Sequence, residues 1–403
     1  MKTLALSGLL VGWIALAGQT LDASQMSFIR EHVVQLGTDP AGSDADWEPV
    51  ISAIGDKQYV CLGEFNHGSR EVFIARNHLI RALHQQLGFD LILFESGLGE
   101  VGVIEKTKDT LTRSALTSGF FGGWRTSEFA DLIDYARQHD ITVAGYDVQR
   151  TGRIFSDYLE RKSGEPGSFA ALEQRFVQVK SRLSNYRTEY HEVAPETEDL
   201  IARYRAWRDS LDWHDPLVEQ TLTNRIRYLA YMLDFVETKD WNARWAARDQ
   251  AMADNVQWLL QQYGRERKAI IVGHNFHIAR RNDREEVMGE FLRQPLGQDM
   301  FVIGVFAAGG TFHNNAGKPE QMSPADTTML DIKHVIHAAS GPLTFLAIPE
   351  QVVQGSEWLF EPIAVHDTFI DLSGSDQMTL SQAFDALLLL DRVTPPKKED
   401  TRR

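Results

Sequence analysis

The stretch Tyr59–Glu95 constrains the fold of this chain more than any other part of the sequence. It opens with Tyr59–Leu62, a short run whose aromatic and β-branched residues are typical of a buried strand. Apolar residues then recur at helical spacing between Ser69, which suits an N-cap, and Gly88, which suits the position after a helix. A second strand-like run, Leu91–Phe94, follows. We therefore predict a βαβ unit, with a parallel pair of strands and a right-handed crossover.

Ionisable side chains follow four of the predicted strands at the point where each strand ends. Glu64 and His67 come after the first strand, and Glu95 closes the second. Two later predicted strands, residues 141–146 and 269–272, end next to Asp147 and His274. Because the carboxyl ends of parallel strands form the ligand crevice of an α/β sheet, we expect these groups to meet there. A histidine among carboxylates makes this edge a candidate reaction centre.

Arg76 is predicted to point inward from the helix of this unit, since it shares a face with Phe73 and Ile80. A buried guanidinium needs a carboxylate partner. The candidates for that partner are Glu64, Glu71 and Glu95. A structural salt bridge and a clamp on a substrate both fit this position.

Charge and cysteine content exclude several classes of partner and site. The chain of 403 residues has a formal net charge of -15, which argues against binding to nucleic acid or to an anionic membrane surface. Cys61 is the one cysteine, so the chain forms no internal disulfide and no thiolate metal cluster. Its place in the first strand predicts a buried thiol.

The N-terminus has the pattern of a signal peptide. Lys2 precedes the apolar run Leu4–Ala17, and small residues for cleavage follow at Ala15–Ala17 or at Leu21–Ala23. We expect cleavage, export to the periplasm or the medium, and no stable membrane insertion afterwards. An uncleaved membrane anchor is the alternative interpretation.

The whole chain is predicted to be an α/β protein, with a largely parallel central sheet, helices on both faces and an inserted helical lobe. The predicted segments are a signal peptide (1–23), the first part of the catalytic core (24–151), a helical insertion or lid lobe (152–240), the second part of the core (241–393) and a disordered tail (394–403). The tryptophans of the lobe half either hold helices together or form an aromatic wall for a bulky apolar ligand.

Several local expectations can be tested directly against a structure. The sequence predicts helices over residues 27–36 and 101–116, and a strand over residues 301–308. Gly119–Arg125 is predicted to be a flexible aromatic loop. In that loop, Trp124 is expected to swing over the sheet edge as part of the wall of a cleft.

Several common catalytic motifs are absent from the sequence. It contains no G-x-S-x-G nucleophile elbow, no H-E-x-x-H zinc motif, no P-loop and no G-x-G-x-x-G after a strand. What is left is a site of histidine and glutamate without an evident nucleophile. A histidine held by a carboxylate takes a proton from water, and a second histidine or an arginine stabilises the oxyanion that develops.

The motifs at these positions resemble those of the erythromycin esterase family. They are the run from Gly63 to Glu71, Arg76, Phe94-Glu95, Gly145-Tyr146-Asp147, the pattern of Arg248, Met252-Ala253, Asn255 and Trp258-Leu259, Gly273-His274-Asn275 with His277, and Phe384-Asp385-Ala386. The resemblance spans roughly residues 50–393.

This resemblance implies hydrolysis of an ester, typically a macrolactone, by general-base catalysis without a metal or another cofactor. His67 is then the base that activates water, and Glu64 and Glu95 orient it or shuttle its proton. His274 is a second polar catalytic residue, and Arg76 supports the carboxylates. The predicted substrate-binding residues are Trp124, Arg125, Asp147, Arg248 and His277. The partner is a small-molecule ester or lactone, although enzymes that inactivate macrolides are generally cytoplasmic.

Two other classes of function remain open from the sequence, as does the oligomeric state. In a metal-dependent hydrolase, Glu64, His67, Glu95 and His274 would be the ligands. Loss of activity on chelation, restored by one metal, would select that class. A non-catalytic periplasmic protein that binds an apolar ligand or haem in the same cleft is the other alternative, and failure to turn over any ester would favour it.

Overall fold

A computed structural model describes residues 20–39, 45–164, 167–211, 213–283, 285–365 and 376–398. Residues 1–19, most of the predicted signal peptide, lie outside this part of the chain, so export stays a prediction. Among the described residues, no helix has both the length and the apolar character that crossing a bilayer requires.

The described part of the chain contains eleven strands and fifteen α-helices. The strands are β1 (Val34–Gly37), β2 (Tyr59–Leu62), β3 (Leu91–Gly97), β4 (Thr142–Asp147), β5 (Ala269–Val272), β6 (Met300–His313), β7 (Pro319–Gln321), β8 (Leu343–Ala347), β9 (Pro362–Val365), β10 (Asp376–Thr379) and β11 (Ala386–Val393). The helices are α1 (Ala23–His32), α2 (Glu48–Ile54), α3 (Arg70–Leu87), α4 (Leu98–Thr107), α5 (Arg113–Leu116), α6 (Ser127–Gln138), α7 (Ile154–Ser163), α8 (Ser168–Leu183), α9 (Tyr190–Asp209), α10 (Pro216–Thr238), α11 (Trp241–Tyr263), α12 (Asn275–Ile278), α13 (Met288–Leu296), α14 (Ile332–Ala339) and α15 (Leu380–Ala383).

A nine-stranded sheet with helices on its faces forms the centre of the fold, in the order β1-β8-β11-β6-β2-β5-β3-β4, with β7 paired to β6. The six strands from β11 to β4 are parallel, and β8 runs antiparallel to β11 and to β1. Every residue of β2, β3 and β5 is buried, as expected for strands covered on both faces. The predicted α/β fold with a largely parallel sheet is confirmed.

The βαβ unit forms with one difference from the prediction. Strands β2 and β3 are parallel, but both pair with β5, which lies between them. Gly88 ends α3 in the left-handed conformation (φ 75°), as predicted. The Ser69 side chain does not cap α3, because its hydroxyl donates instead to Asn66 Oδ1 at 2.9 Å. Cys61 is fully buried in β2, and burial raises the pKa of its thiol.

Three local predictions are wrong, and the strand predicted over residues 301–308 forms but is longer than predicted. The predicted helix 27–36 is α1 followed by strand β1, and the predicted helix 101–116 is divided into α4 and α5. Strand β6 continues past residue 308 to His313, because its end pairs with β7 and β11. The predicted tail is bound as far as residue 398: Thr394 donates twice to Glu71, at 2.6 Å each, and the Lys397 amide donates to Glu128 at 3.2 Å.

Helices α7 to α10 form a helical lobe with a hydrophobic cluster of its own, which includes Phe155, Phe176 and Leu229. Trp207, Trp213 and Trp258 pack against this cluster, which supports the interpretation that they hold helices together. Buried Arg225 of α10 joins the lobe to the sheet domain, because it contacts Glu173 of α8 at 3.2 Å and Glu100 of α4 at 2.7 Å.

The close packing after β2 generates a prediction for Gly63. A Cβ atom at this position would lie 2.0 Å from Asn275 Oδ1 and 3.0 Å from the Ile303 carbonyl oxygen. We expect Gly63→Ala to lower the free energy of unfolding by about 1–3 kcal/mol, the usual cost of overpacking. Gly309→Ala in β6 is the control, since a Cβ there meets nothing within 4 Å. Equal urea midpoints for the two variants would contradict this account.

Candidate active site

The residues predicted at the strand ends lie at one edge of the sheet. Strands β2, β5, β3 and β4 are neighbours in that order, so the groups that follow them are side by side. Four of these groups line one cleft of about 380 Å³: His67, Glu95, Asp147 and His274. Glu64 lies beneath this cleft and is fully buried.

The Glu64 carboxylate accepts hydrogen bonds from three side chains of different segments. Oε1 accepts from His67 Nδ1 at 2.6 Å and from Trp124 Nε1 at 2.8 Å. Oε2 accepts from Arg76 Nη1 at 2.7 Å. Of the partners left open for Arg76, the structure therefore selects Glu64, in a buried salt bridge that does not line the cleft.

The guanidinium of Arg76 has few other partners. Its Nε and Nη2 atoms are buried without a hydrogen bond. Its Cζ atom lies 4.9 Å from the ring centroid of Phe73 and 5.3 Å from that of Trp124. These ring faces stabilise the cation, but its charge depends mainly on Glu64.

His67 is oriented so that one ring nitrogen binds Glu64 and the other is available to the cleft. Its side chain is 17% exposed and lies at the cleft wall, with the Phe121 ring 4.9 Å away. Burial by itself would lower the pKa of His67. The hydrogen bond and charge of Glu64, with the charge of Glu95, outweigh burial and raise the pKa above its usual value of 6.5.

A second network surrounds Glu95. Its Oε1 accepts from Arg248 Nη2 at 3.0 Å, and its Oε2 accepts from the backbone N–H of His274 at 2.9 Å. Burial would raise the pKa of Glu95, but nearby His277 and Arg248 and the His274 N–H hold it well below its usual range. Glu95 therefore stays ionised at neutral pH, which does not fit the predicted role as a proton shuttle.

Arg248 connects Glu95 to Asp147 and His277. Its guanidinium donates to Asp147 Oδ2 at 2.7 Å and to His277 Nε2 at 3.0 Å. The other ring nitrogen of His277 donates to Asp249 Oδ2 at 2.8 Å. Asp249 was not predicted as a site residue, although it follows Arg248 directly in the sequence.

His274 is held as a neutral ring beside His67, with ring centroids 5.4 Å apart. Its Nε2–H donates to the Phe65 carbonyl oxygen at 3.1 Å, and its Nδ1 accepts from the Phe276 N–H at 3.3 Å. Burial first, and then the proximity of His67, lower the pKa of His274 to about 3. His274 therefore positions the loop after β5 and is not a proton donor at neutral pH.

Trp124 and Arg125 do not lie where a substrate-binding role requires. Trp124 is fully buried and packs against Phe94 and Phe129, so it is not a movable wall. Arg125 donates to the carbonyl oxygens of Phe120 and Thr151, at 3.0 and 2.8 Å. Both side chains hold the loop that places Phe121 on the cleft. A tryptophan that follows two glycines gives no sequence signal of such burial.

Several residues that line the cleft were not identified from the sequence. Eleven of the fourteen lining residues are polar or charged, and the others are Phe121, Gly122 and Trp245. The unpredicted polar residues are Gln149, Arg150, Thr151, Lys180 and Asn315. Gln149, Arg150 and Thr151 follow the end of β4 within a few residues. This position after a strand could have identified them as cleft residues from the sequence. Lys180 belongs to α8, and no sequence pattern connects that helix to the sheet edge.

The residues proposed as metal ligands in the alternative interpretation are committed to other contacts. Both oxygens of Glu64 and both ring nitrogens of His274 have protein partners. Within the described ranges, no three His, Cys, Asp or Glu side chains are placed to hold one metal ion. Metal independence stays a prediction.

Comparison with known proteins identifies relatives of this chain. The sequence model of the erythromycin esterase family matches residues 84–393. YbfO of Bacillus subtilis (strain 168), described as a hydrolase, is 22% identical over 430 residues, covering 95% of this chain and 91% of YbfO. Erythromycin esterase type II of Escherichia coli is 24% identical over 317 residues, covering 68% of this chain and 74% of that protein. A mutant of erythromycin esterase EreC in its open conformation has a similar fold, with a TM-score of 0.59 and 16% identity over 91% of this chain and 99% of EreC.

The contact between Trp124 and Glu64 generates the second prediction. Trp124→Phe keeps an aromatic ring but removes the N–H donor. The Glu64 carboxylate then has one hydrogen-bond donor fewer, so its negative charge acts more strongly on His67. We expect the pKa of His67, measured by NMR titration, to rise further. We also expect the free energy of unfolding to fall by about 1.5–3 kcal/mol, the range for hydrogen bonds to charged groups.

Trp358→Phe is the matched control for this substitution. Trp358 is 2% exposed, and its buried Nε1 makes no hydrogen bond to any residue that the structure describes, so its replacement removes ring volume and no polar contact seen among those residues. Equal losses of stability in the two variants, with an unchanged His67 pKa, would show that Trp124 only fills space.

Proposed function

We propose that this chain, which belongs to the erythromycin esterase family and is a hydrolase of that family, cleaves carboxylic esters with His67 as the general base. One observation carries the proposal. The Glu64 carboxylate binds His67 Nδ1 at 2.6 Å, which leaves Nε2 as the basic nitrogen on the cleft side of the ring. A buried pair of this kind is suited to taking a proton from water.

The proposed reaction begins with proton transfer from water to His67 Nε2. The hydroxide oxygen bonds to the ester carbonyl carbon, and the positive charge formed on His67 is stabilised by Glu64. The tetrahedral oxyanion then collapses and the bond to the alcohol oxygen breaks, and the alcohol takes the proton from His67. Water thus supplies one hydroxyl and one proton, and the products are a carboxylic acid and an alcohol.

Arg76 and Trp124 take part as positioning residues in this scheme. Neither lines the cleft, but each donates to Glu64 and so keeps its carboxylate directed at His67. Arg248 does line the cleft and acts electrostatically on His67. Its positive charge is placed to stabilise the oxyanion, while Glu95 and Asp147 hold it in position.

The character of the cleft bears on the substrate. Its volume of about 380 Å³ is near the lower end of the range for small-molecule sites, roughly 300–1,000 Å³. The many polar and charged side chains among its lining residues fit a small polar ester better than the bulky, apolar lactone predicted from the sequence. A macrolactone is the second candidate, and the name of the E. coli relative supports it.

Replacement of the base tests the proposed function directly. We expect His67→Ala to lower kcat for a 4-nitrophenyl ester by at least about 10²–10⁴, the usual contribution of a positioned general base. His139→Ala is the control, because this exposed histidine at the end of α6 is outside the residues that line the cleft. A folded His67→Ala variant with near-normal turnover would remove His67 from the mechanism.

The raised pKa of His67 predicts the pH dependence of the reaction. Only the neutral ring accepts a proton, so kcat/KM falls as the pH drops through a pKa that lies above 6.5. In Glu64→Gln the charge of Glu64 and the hydrogen bond to a carboxylate are lost, so that burial is opposed only by the charge of Glu95 and the pKa of His67 falls. We therefore expect the acid limb of the profile to move to lower pH while the maximal rate falls. Circular dichroism checks that the variant folds, and an unmoved acid limb would contradict the proposed role of Glu64.

A further inference from the structure

The wall of the cleft that comes from the helical lobe carries Lys180. This lysine belongs to α8 and lines the same cleft as His67. In the described part of the chain its ammonium group makes no hydrogen bond and no ion pair. Its Nζ atom lies 5.3 Å from the ring centroid of Tyr228, within reach of an aromatic face. An ammonium group that lines a cleft without a carboxylate partner retains its capacity to bind an anion.

Arg150 lines the same cleft, and its guanidinium is only partly used. Its Nε lies 2.9 Å from Glu173 Oε2, and its side chain is 14% exposed. Neither terminal nitrogen of the guanidinium makes a hydrogen bond to a described residue. Glu173 has other partners, because Tyr204 and Ser156 donate to it at 2.7 and 3.0 Å. Arg150 also lines a second cavity of about 590 Å³ between α7 and α8.

The third cation of the cleft is committed to protein groups. Arg248 binds Asp147, Glu95 and His277, and burial of this network keeps those contacts intact. Asp147 in turn accepts from Arg248 and from the Gln149 N–H. The cleft therefore has two kinds of cation: one paired arginine beside the reacting groups, and two side chains with unused N–H donors on the lobe side.

We propose that Lys180 and Arg150 bind an anionic substituent of the substrate, a carboxylate or a phosphoryl group, while its ester bond lies at His67. This inference rests on the proposed function and names the substrate class: esters that carry a second, negatively charged group. A lysine supplies a point charge and an arginine supplies paired donors, and both make charge-assisted hydrogen bonds to such anions. The carboxylates of Glu95 and Asp147 repel an anion from their side of the cleft. The anionic substituent is therefore expected on the side that carries Lys180 and Arg150.

Two esters that differ only in charge test this proposal. One is a 4-nitrophenyl ester with a terminal carboxylate on its acyl chain, and the other has a terminal carboxamide in its place. We expect the wild type to have a lower KM for the charged ester. Lys180→Met should raise the KM for the charged ester about tenfold or more, because one hydrogen bond to a charged group is lost. We expect little change in kcat for the charged ester and little change in the kinetics of the neutral ester. Lys180→Arg should keep the preference.

A lysine-to-methionine change on α8 needs a control on the same helix. Arg175→Met serves this purpose, because Arg175 pairs with Asp199 at 3.0 Å and is not among the cleft residues. We expect it to leave the KM of both esters unchanged. Equal KM values for the two esters in the wild type, or the same KM shift in Arg175→Met as in Lys180→Met, would overturn the proposal.

Binding measurements separate this inference from the proposed function. If neither ester is hydrolysed, ester hydrolysis is refuted, and titration calorimetry with glutarate and with inorganic phosphate still decides the anion site. If only glutarate binds, the anionic substituent of the substrate is a carboxylate, and if only phosphate binds, it is a phosphoryl group. In either case Lys180→Met has to abolish the binding. Failure of both probes to bind the wild type, or equal binding to Lys180→Met, overturns the inference.

Discussion

The fully buried charge of Glu64 is the interaction on which the rest of this site depends. An unpaired carboxylate at this depth would cost several kcal/mol, so its partners have to be in place whenever the chain is folded. The partners come from three segments: the loop after β2 with His67, helix α3 with Arg76, and the loop before α6 with Trp124. One carboxylate thus fixes the positions of three segments relative to the sheet, and orients the proposed base at the same time.

The same principle organises the rest of the cleft through arginines. Arg248 of α11 joins Glu95 and Asp147 at the ends of neighbouring strands. Arg225 of α10 joins Glu100 beside the sheet to Glu173 in the helical lobe. Removal of either arginine would leave buried carboxylates without this cation, which is more destabilising than the loss of the charged groups together. The lobe is therefore tied to the sheet domain by charge as well as by apolar packing.

This arrangement separates the cleft into regions with different chemistry. The sheet edge supplies groups whose charge states are set by burial and by each other: a basic His67, an ionised Glu95 and a neutral His274. The lobe supplies Lys180, and the loop after β4 supplies Arg150; among the described residues, the protein does not use all the N–H groups of these two side chains. In the proposed scheme, the groups that bind the anion are therefore separate from the group that activates water.

Local sequence was sufficient for the parts of this protein that depend on near neighbours. Strands β2 and β5 and the end of α3 at Gly88 lie where the pattern predicts them. The position of ionisable groups at strand ends predicted which of them would meet, because parallel strands bring their carboxyl ends to one edge. Arg76 was recognised as buried from its helix face, although its partner was not.

Tertiary structure decided what depends on contacts between distant segments. Nothing near β2 or β3 indicates that β5, about 175 residues after β3, pairs between them, since strand pairing is settled by the packing of whole βα units. The burial of Trp124 depends on an acceptor sixty residues away. Lys180 reaches the cleft only because α8 packs over the sheet edge, and its spacing along that helix is the same as that of a solvated lysine. Side-chain roles of this kind arise from burial and from charge partners, which a one-dimensional pattern does not contain.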